Sequence, residues 1–280
     1  ATHPWKGHEL GPDWLRCVEP RDPEELAAWM DRGRVPSRAR RTPRGELHLS
    51  ADSEGVTLSW VNHRPEAQAL LVVDTAQEQR ATMVPSEASK SPCAMRTACD
   101  PSGLPLLAAP EVKLADAYAE PILRYLGEGD TGAAGLLASL ALAEHAFAGK
   151  FRDVVAACVG AYALLASNQL ERMHDWSANL FFGFPHAADA ATIHAEWLAR
   201  HGRHAEAAAA LLTLESRNLP WFRDGLLLAL DRLDRYLRAG KKLWTDEERG
   251  TAEHIHRRFE RLSRGVDLRA GILSWFISKA

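Results

Sequence analysis

From Pro110 onward the chain reads as one helix-length segment after another, joined by connectors of a few residues, and this pattern does most to limit what it can fold into. The segments are Glu111–Leu126, Ala133–Ala148, Phe151–Ala166, Gln169–Phe182, Ala187–His201, Ala205–Arg217, Trp221–Arg238, Asp246–Ser263 and Leu268–Ser278. Links this short make consecutive helices antiparallel neighbours, which gives a bundle or a solenoid. Local signals agree with the helices: Thr245 followed three residues later by Glu248 spells a capping box, and Asp267 is placed to cap the last segment.

The first 110 residues have a different grammar. Asp22 as N-cap, Pro23 at the first helical position, Glu24 and Glu25 in the first turn and Gly33 as a stop predict one helix from Pro23 to Arg32. Three strand-like runs follow, GELHLS, GVTLSWVNH and AQALLVVDT. Leu47 and Leu49 alternate with His48 and Ser50, and Val56, Leu58 and Trp60 alternate with Thr57 and Ser59. A period of two buries one face of a sheet. The turn Ala51 to Gly55 joins the first two runs as a hairpin, whereas Ala76 to Pro110 loses periodicity, collects prolines and reads as a long loop. The expected fold class is α+β, mostly α: a small N-terminal antiparallel β region over residues 1–110, then an all-α, helical-repeat-like domain over 111–280.

Composition narrows the function classes. Lys+Arg number 34 and Asp+Glu 37, so no polyelectrolyte partner is written into the whole molecule. Cys17, Cys93, Cys99 and Cys158 are too few and too irregular for a disulfide framework, which points to thiols in a reducing compartment. No charged-then-apolar leader opens the chain and no apolar run approaches the roughly 18 residues of a membrane span, so a cytoplasmic protein is expected. Arginine-rich basic content and alanine-rich helices suggest a GC-rich bacterial genome.

Two stretches, ALAEHAFAGKFRDVVAACVGAYALLA and HAEWLARHGRHAEAAAALLTLESRNLP, share a plan: helix, turn glycine (Gly149, Gly202), a ring two residues later (Phe151, His204), second helix. The second resembles a tetratricopeptide repeat, with Ala195 and Ala207 at small positions and Pro220 near the closing proline. The first resembles it less closely, with Val154 where a small residue is expected. The turn glycines stand 53 residues apart, against a family period of about 34, so an additional helix, Gln169–Phe182, is wedged between the pairs. The resemblance spans at most residues 133–240 and implies stacked helix pairs presenting a groove to a partner.

Other motifs yield to plainer explanations. Gly127-x-Gly129-x-x-Gly132 has the spacing of a phosphate cradle, but Glu128 and Asp130 place like charge there and no second strand follows, so it reads as a connector with Asp130 and Thr131 capping the next helix. Cys93 and Cys99 lack the spacing of a zinc deaminase, and Cys93 with His63 lacks an activating context for a nucleophile. His186, His194, His201 and His204 match no ligand spacing for zinc. Arginines crowd Arg32 to Arg44 without interleaved aromatics. Trp176, Phe181, Phe182, Trp221 and Phe222 are packing residues or groove anchors.

The sequence therefore predicts a non-enzymatic adaptor or regulatory subunit that holds a protein or peptide, an accessory to a bacterial peptidase, signalling or defence effector. The residues expected to meet the partner are His194, Trp197, His201, His204, Trp221 and Phe222, with Arg38, Arg40 and Arg41. No cofactor, metal, membrane, nucleic-acid or small-molecule ligand is expected. The alternatives are an enzyme using Cys93 or a nucleotide at Gly127–Gly132, and thirdly nucleic-acid binding through Arg32–Arg44.

Overall fold

The computed structural model describes residues 13–32, 34–35, 45–52, 54–62, 68–85, 93–114, 116, 118–128, 142–239 and 243–278. The N-terminal region builds two antiparallel sheets. One contains β1 (Leu15–Val18), β4 (Ala69–Asp74), β5 (Glu78–Val84) and β8 (Ser274–Ser278) in the order β1-β4-β5-β8, and the other β2 (Gly45–Ala51), β3 (Gly55–Asn62), β6 (Cys93–Ala98) and β7 (Glu111–Lys113) in the order β2-β3-β6-β7. The β2–β3 hairpin forms over the acidic turn, with Ala51 opposite Val56, and Asp52 holds Arg96 of β6 at 2.7 Å. In β4 the run Ala-Leu-Leu-Val-Val is buried without interruption, because strands flank it and both its faces are covered.

Helix α1 (Pro23–Asp31) starts as predicted, the Asp22 carboxylate accepting from the Glu25 N–H. The remaining helices among the described residues are α2 (Ala119–Glu128), α3 (Leu142–Ala148), α4 (Val154–Ala166), α5 (Trp176–Gly183), α6 (Ala188–Arg200), α7 (His204–Leu212), α8 (Arg223–Arg238) and α9 (Asp246–Ser263), with short 3-10 turns at Leu170–Met173 and Thr213–Glu215. Thr245 and Glu248 close their capping box at the start of α9. Helix α4 is apolar and buried on all sides, as a helix at the centre of a helical layer must be. Its approach to α3 depends on Gly160, where a Cβ would lie 2.4 Å from the Ala143 carbonyl oxygen. The turn between α6 and α7 is made by Gly202 at φ +75, in the left-handed region that glycine enters without steric cost.

Four expectations fail, each for a tertiary reason. Ala76–Pro110 is not a loop: β5 and β6 lie in it, and the alternation of β5 is hidden because it buries Gln79, Arg80 and Thr82. Glu111–Lys113 is a strand on the edge of β6, so the first helix after Pro110 begins only at Ala119. Gln169–Phe182 divides at His174, whose φ of +45 ends the 3-10 turn before α5. Ser274–Ser278 is not helical but pairs with β5, Trp275 and Ile277 pointing inward and Phe276 outward. Asp267 thus caps no helix there; it accepts from Arg80 at 2.5 Å.

The C-terminal strand ties the helical region back to the first sheet. Gln68 adds a second tie: its side-chain amide donates to the Leu219 carbonyl at 2.7 Å and accepts from the Leu219 N–H at 2.8 Å. No described helix is long and apolar enough to cross a membrane.

Candidate functional site

His194 and His201 are seven residues apart with Trp197 between them, which sets all three on one flank of α6. The rings form a continuous stack. Trp197 lies 4.2 Å from His201 and 6.3 Å from His194 between centroids, and His194 lies 5.0 Å from Phe181 of α5 with the rings nearly parallel. Phe182 meets Phe181 edge-on at 5.0 Å and is 75% exposed. Phe151, also 75% exposed, lies across the end of α5, 6.2 Å from Phe184 and against the backbone of Gly183.

Buried polar groups hold this ridge in place. Arg217 donates to the carbonyls of Phe181, Phe184 and Ala187 at 2.8 to 3.1 Å and lays its guanidinium over the Phe181 ring at 4.5 Å. It thereby satisfies carbonyls at the C-terminus of α5 that have no helical partner. Ser177 bonds to His194 Nδ1 at 3.2 Å. Burial, with Arg203 and Arg217 nearby, pulls His194 down to about 4, so near neutrality it is an uncharged stacking ring. His201 Nδ1 donates to the Trp197 carbonyl at 2.8 Å, leaving Nε2 as the acceptor. Arg203 covers Trp197 at 5.9 Å. Lys150, almost fully buried, points its ammonium at Phe147, Phe151 and Trp176 at 5.1 to 5.9 Å, and desolvation lowers its affinity for a proton.

The residues expected to meet a partner do not all gather here. His194, Trp197 and His201 do. His204, the first residue of α7, turns to Tyr236 of α8, bonding its hydroxyl at 3.1 Å. Trp221 and Phe222 are corrected to core residues, each 2% exposed: the Trp221 N–H donates to buried Asp189, and Phe222 packs edge-on against Tyr162. They cannot anchor a partner, because the chain leading into α8 is threaded through the core. Arg38, Arg40 and Arg41 lie outside the described residues, as do Gly129, Asp130, Thr131 and Gly132. The exposed Phe151 and the Lys150 cage were not foreseen, although "GKF" beside a turn glycine placed a ring and a cation at a helix junction.

The enzyme alternatives find little here. Cys93 opens β6 and is buried, and desolvation raises its thiol, the reverse of activation. Gly127 belongs to the last turn of α2, its backbone against Gly271. Among the described residues no three His, Cys, Asp or Glu side chains converge as metal ligands, and no disulfide forms.

The family described as the Y4kD C-terminal domain matches residues 121–267, from α2 to the turn after α9. No curated protein and no solved structure matches the chain.

Proposed function

The chain belongs to the Y4kD C-terminal domain family, and on that premise we propose that it is a non-enzymatic adaptor or regulatory subunit that docks a protein or peptide segment on the ridge of α5 and α6. One observation supports this reading above the rest: the ring stack running from His201 to Phe181 continues into the solvent-exposed Phe182, and a second exposed phenylalanine, Phe151, lies across the end of α5. Large aromatics held by a rigid, buried underlayer are what interface anchors consist of, since little side-chain entropy is lost when a partner covers them. The helix pairs with a turn at Gly202 suit the tetratricopeptide-like arrangement that the sequence suggests. An adaptor acting beside a bacterial effector in the cytoplasm is the setting this reading implies.

The test compares the full chain with a Phe151→Ser, Phe182→Ser variant in affinity purification from the native lysate. A Leu104→Ser, Leu106→Ser variant, altered at exposed apolar residues of the N-terminal region, serves as control. A partner retained by the control and lost from the ridge variant supports the proposal. Retention by the ridge variant sinks it.

A further inference from the structure

Glu120, Leu123, Arg124 and Gly127 recur at intervals of three and four, one face of α2, and that face is one wall of a cleft of about 450 Å³. The opposite wall is the segment Arg269–Ile272 that leads into β8, Glu111 and Val112 close a third side, and Thr82 of β5 with Ser274 of β8 forms the floor. This is where the first sheet, the first helix of the matched region and the C-terminal strand meet.

The cleft is preformed. A Cβ on Gly271 would stand 3.0 Å from Leu123 Cδ1, and one on Gly127 would stand 3.1 Å from the Gly271 nitrogen, so two glycines set how closely the walls approach. Arg223 spans both, donating from Nη2 to the Leu126 carbonyl at 3.1 Å and from Nη1 to the Leu268 carbonyl at 2.5 Å. The floor hydroxyls bond to each other at 3.1 Å and are sealed from solvent.

Its chemistry is mixed in a specific way. Leu123, Val112 and Ile272 offer apolar surface, while Glu111, Glu120, Arg124 and Arg269 line the cleft with charge of both signs, Glu111 standing opposite Arg96 across the β6–β7 pair. With two carboxylates set against two arginines a phosphate or another polyanion gains no net attraction, and a purely apolar guest would leave charges of both signs without compensation. A guest bearing one cation and one carboxylate on an apolar body answers all of these. A cavity of this size at a junction between units is the ordinary setting for a small ligand.

We propose that this cleft binds a small apolar zwitterion, a free amino acid or a short peptide, its ammonium held by Glu111 and Glu120, its carboxylate by Arg269 and its body by Leu123, Val112 and Ile272. This site is separate from the ridge on α5 and α6, and either can fail without the other.

Isothermal titration of the full chain tests it with L-leucine, L-leucyl-L-leucine, the N-acetylated dipeptide and the dipeptide amide. Saturable one-site binding of a zwitterion is expected, weakened about tenfold by blocking either terminus. Tighter binding of leucine than of the dipeptide identifies a free amino acid as the ligand, and the reverse identifies a peptide. In Arg269→Ala the zwitterion binds more weakly and amidation no longer matters; in Glu120→Gln the same holds for acetylation. Both side chains lie at the cleft rim, and unchanged circular dichroism verifies the fold. Absence of saturable binding by both leucine and the dipeptide, or binding indifferent to both substitutions, overturns the proposal.

Discussion

Arg80 in β5 and Asp189 in α6 are both sealed from water, at 1% and 0% exposure, yet the two halves of the molecule accommodate them by opposite means. Arg80 keeps its charge beside Asp267, with the Leu107 carbonyl and the face of Phe276 completing its surroundings. Asp189 has no cation beside it among the described residues. It accepts from the Tyr162 hydroxyl at 2.6 Å and the Trp221 N–H at 2.7 Å, and burial pushes its carboxyl up to about 7. A paired charge makes the sheet half sensitive to loss of a partner, whereas a carboxyl among neutral donors makes the helical half sensitive to pH.

The sharpest break in that contrast comes from removing Asp267. Asp267→Ala strands a buried guanidinium and is expected to cost about 3–5 kcal/mol in urea denaturation. Adding Arg80→Met to it should restore much of the loss, because an uncharged side chain of similar length needs no counter-charge. A cost under about 1 kcal/mol for the single change would mean that water reaches Arg80 and the contrast is false.

Next in size is a steric change in the helical half. A Cβ on Gly225 would fall 2.3 Å from Asp189 Oδ1, 2.7 Å from the Tyr162 hydroxyl and 2.8 Å from Pro220 Cβ. Gly225→Ala is therefore expected to destabilise by about 3 kcal/mol, despite alanine's better helix propensity. Gly250→Ala on α9, where a Cβ meets nothing within 4 Å, provides the opposite sign and should stabilise by about 0.5–1 kcal/mol in the same thermal melts.

The pH response distinguishes the halves without any steric change. Asp189 titrates near 7 when folded and near 3.8 when unfolded, so its contribution is fully present below about pH 4 and is lost as pH rises toward 7. His194 acts in the other direction over the same window: held at about 4 against 6.5, it favours the fold above 6.5 and loses that contribution as pH falls. The two contributions oppose each other and the Asp189 shift is only slightly the larger, so net stability should decline by less than about 1 kcal/mol from pH 4 to 7. In Asp189→Asn the slope should reverse and stability should rise over pH 4 to 6.5. An unchanged slope in stability measured against pH would remove Asp189 from the account.

These residues also mark where the sequence could be read and where it could not. The α1 cap, the β2–β3 hairpin and the α9 capping box were legible because each is closed by residues three to five apart. Strands β5 and β8 were not, since Glu78 pairs with Ser278 across the whole chain and no local pattern reports that. Trp221 and Phe222 looked like groove anchors because an aromatic pair after a proline suits a surface turn as well as a core entry. The spacing of His194, Trp197 and His201 was legible as one helix face. Phe151 depends on α5 folding back beside the α3–α4 turn, and the cleft walls come from three separated segments, which is why no small ligand was expected.

The smallest effect on stability belongs to the ridge, and its smallness is the point. Phe151 and Phe182 already spend most of their surface in water, so Phe151→Ser and Phe182→Ser should each change stability by no more than about 0.5 kcal/mol. Their neighbours differ: Phe181 and His194 lie beneath, covered by the Arg217 guanidinium and the Ser177 hydroxyl, and truncating them would disturb the ends of α5 and α6. If calorimetry finds either exposed phenylalanine costing 2 kcal/mol or more, the scale of a buried anchor, then the ring packs within the chain and is not displayed to a partner. Near-neutral substitutions would instead leave two large apolar rings whose placement folding alone does not explain, and a partner that covers them becomes the account of why they are there.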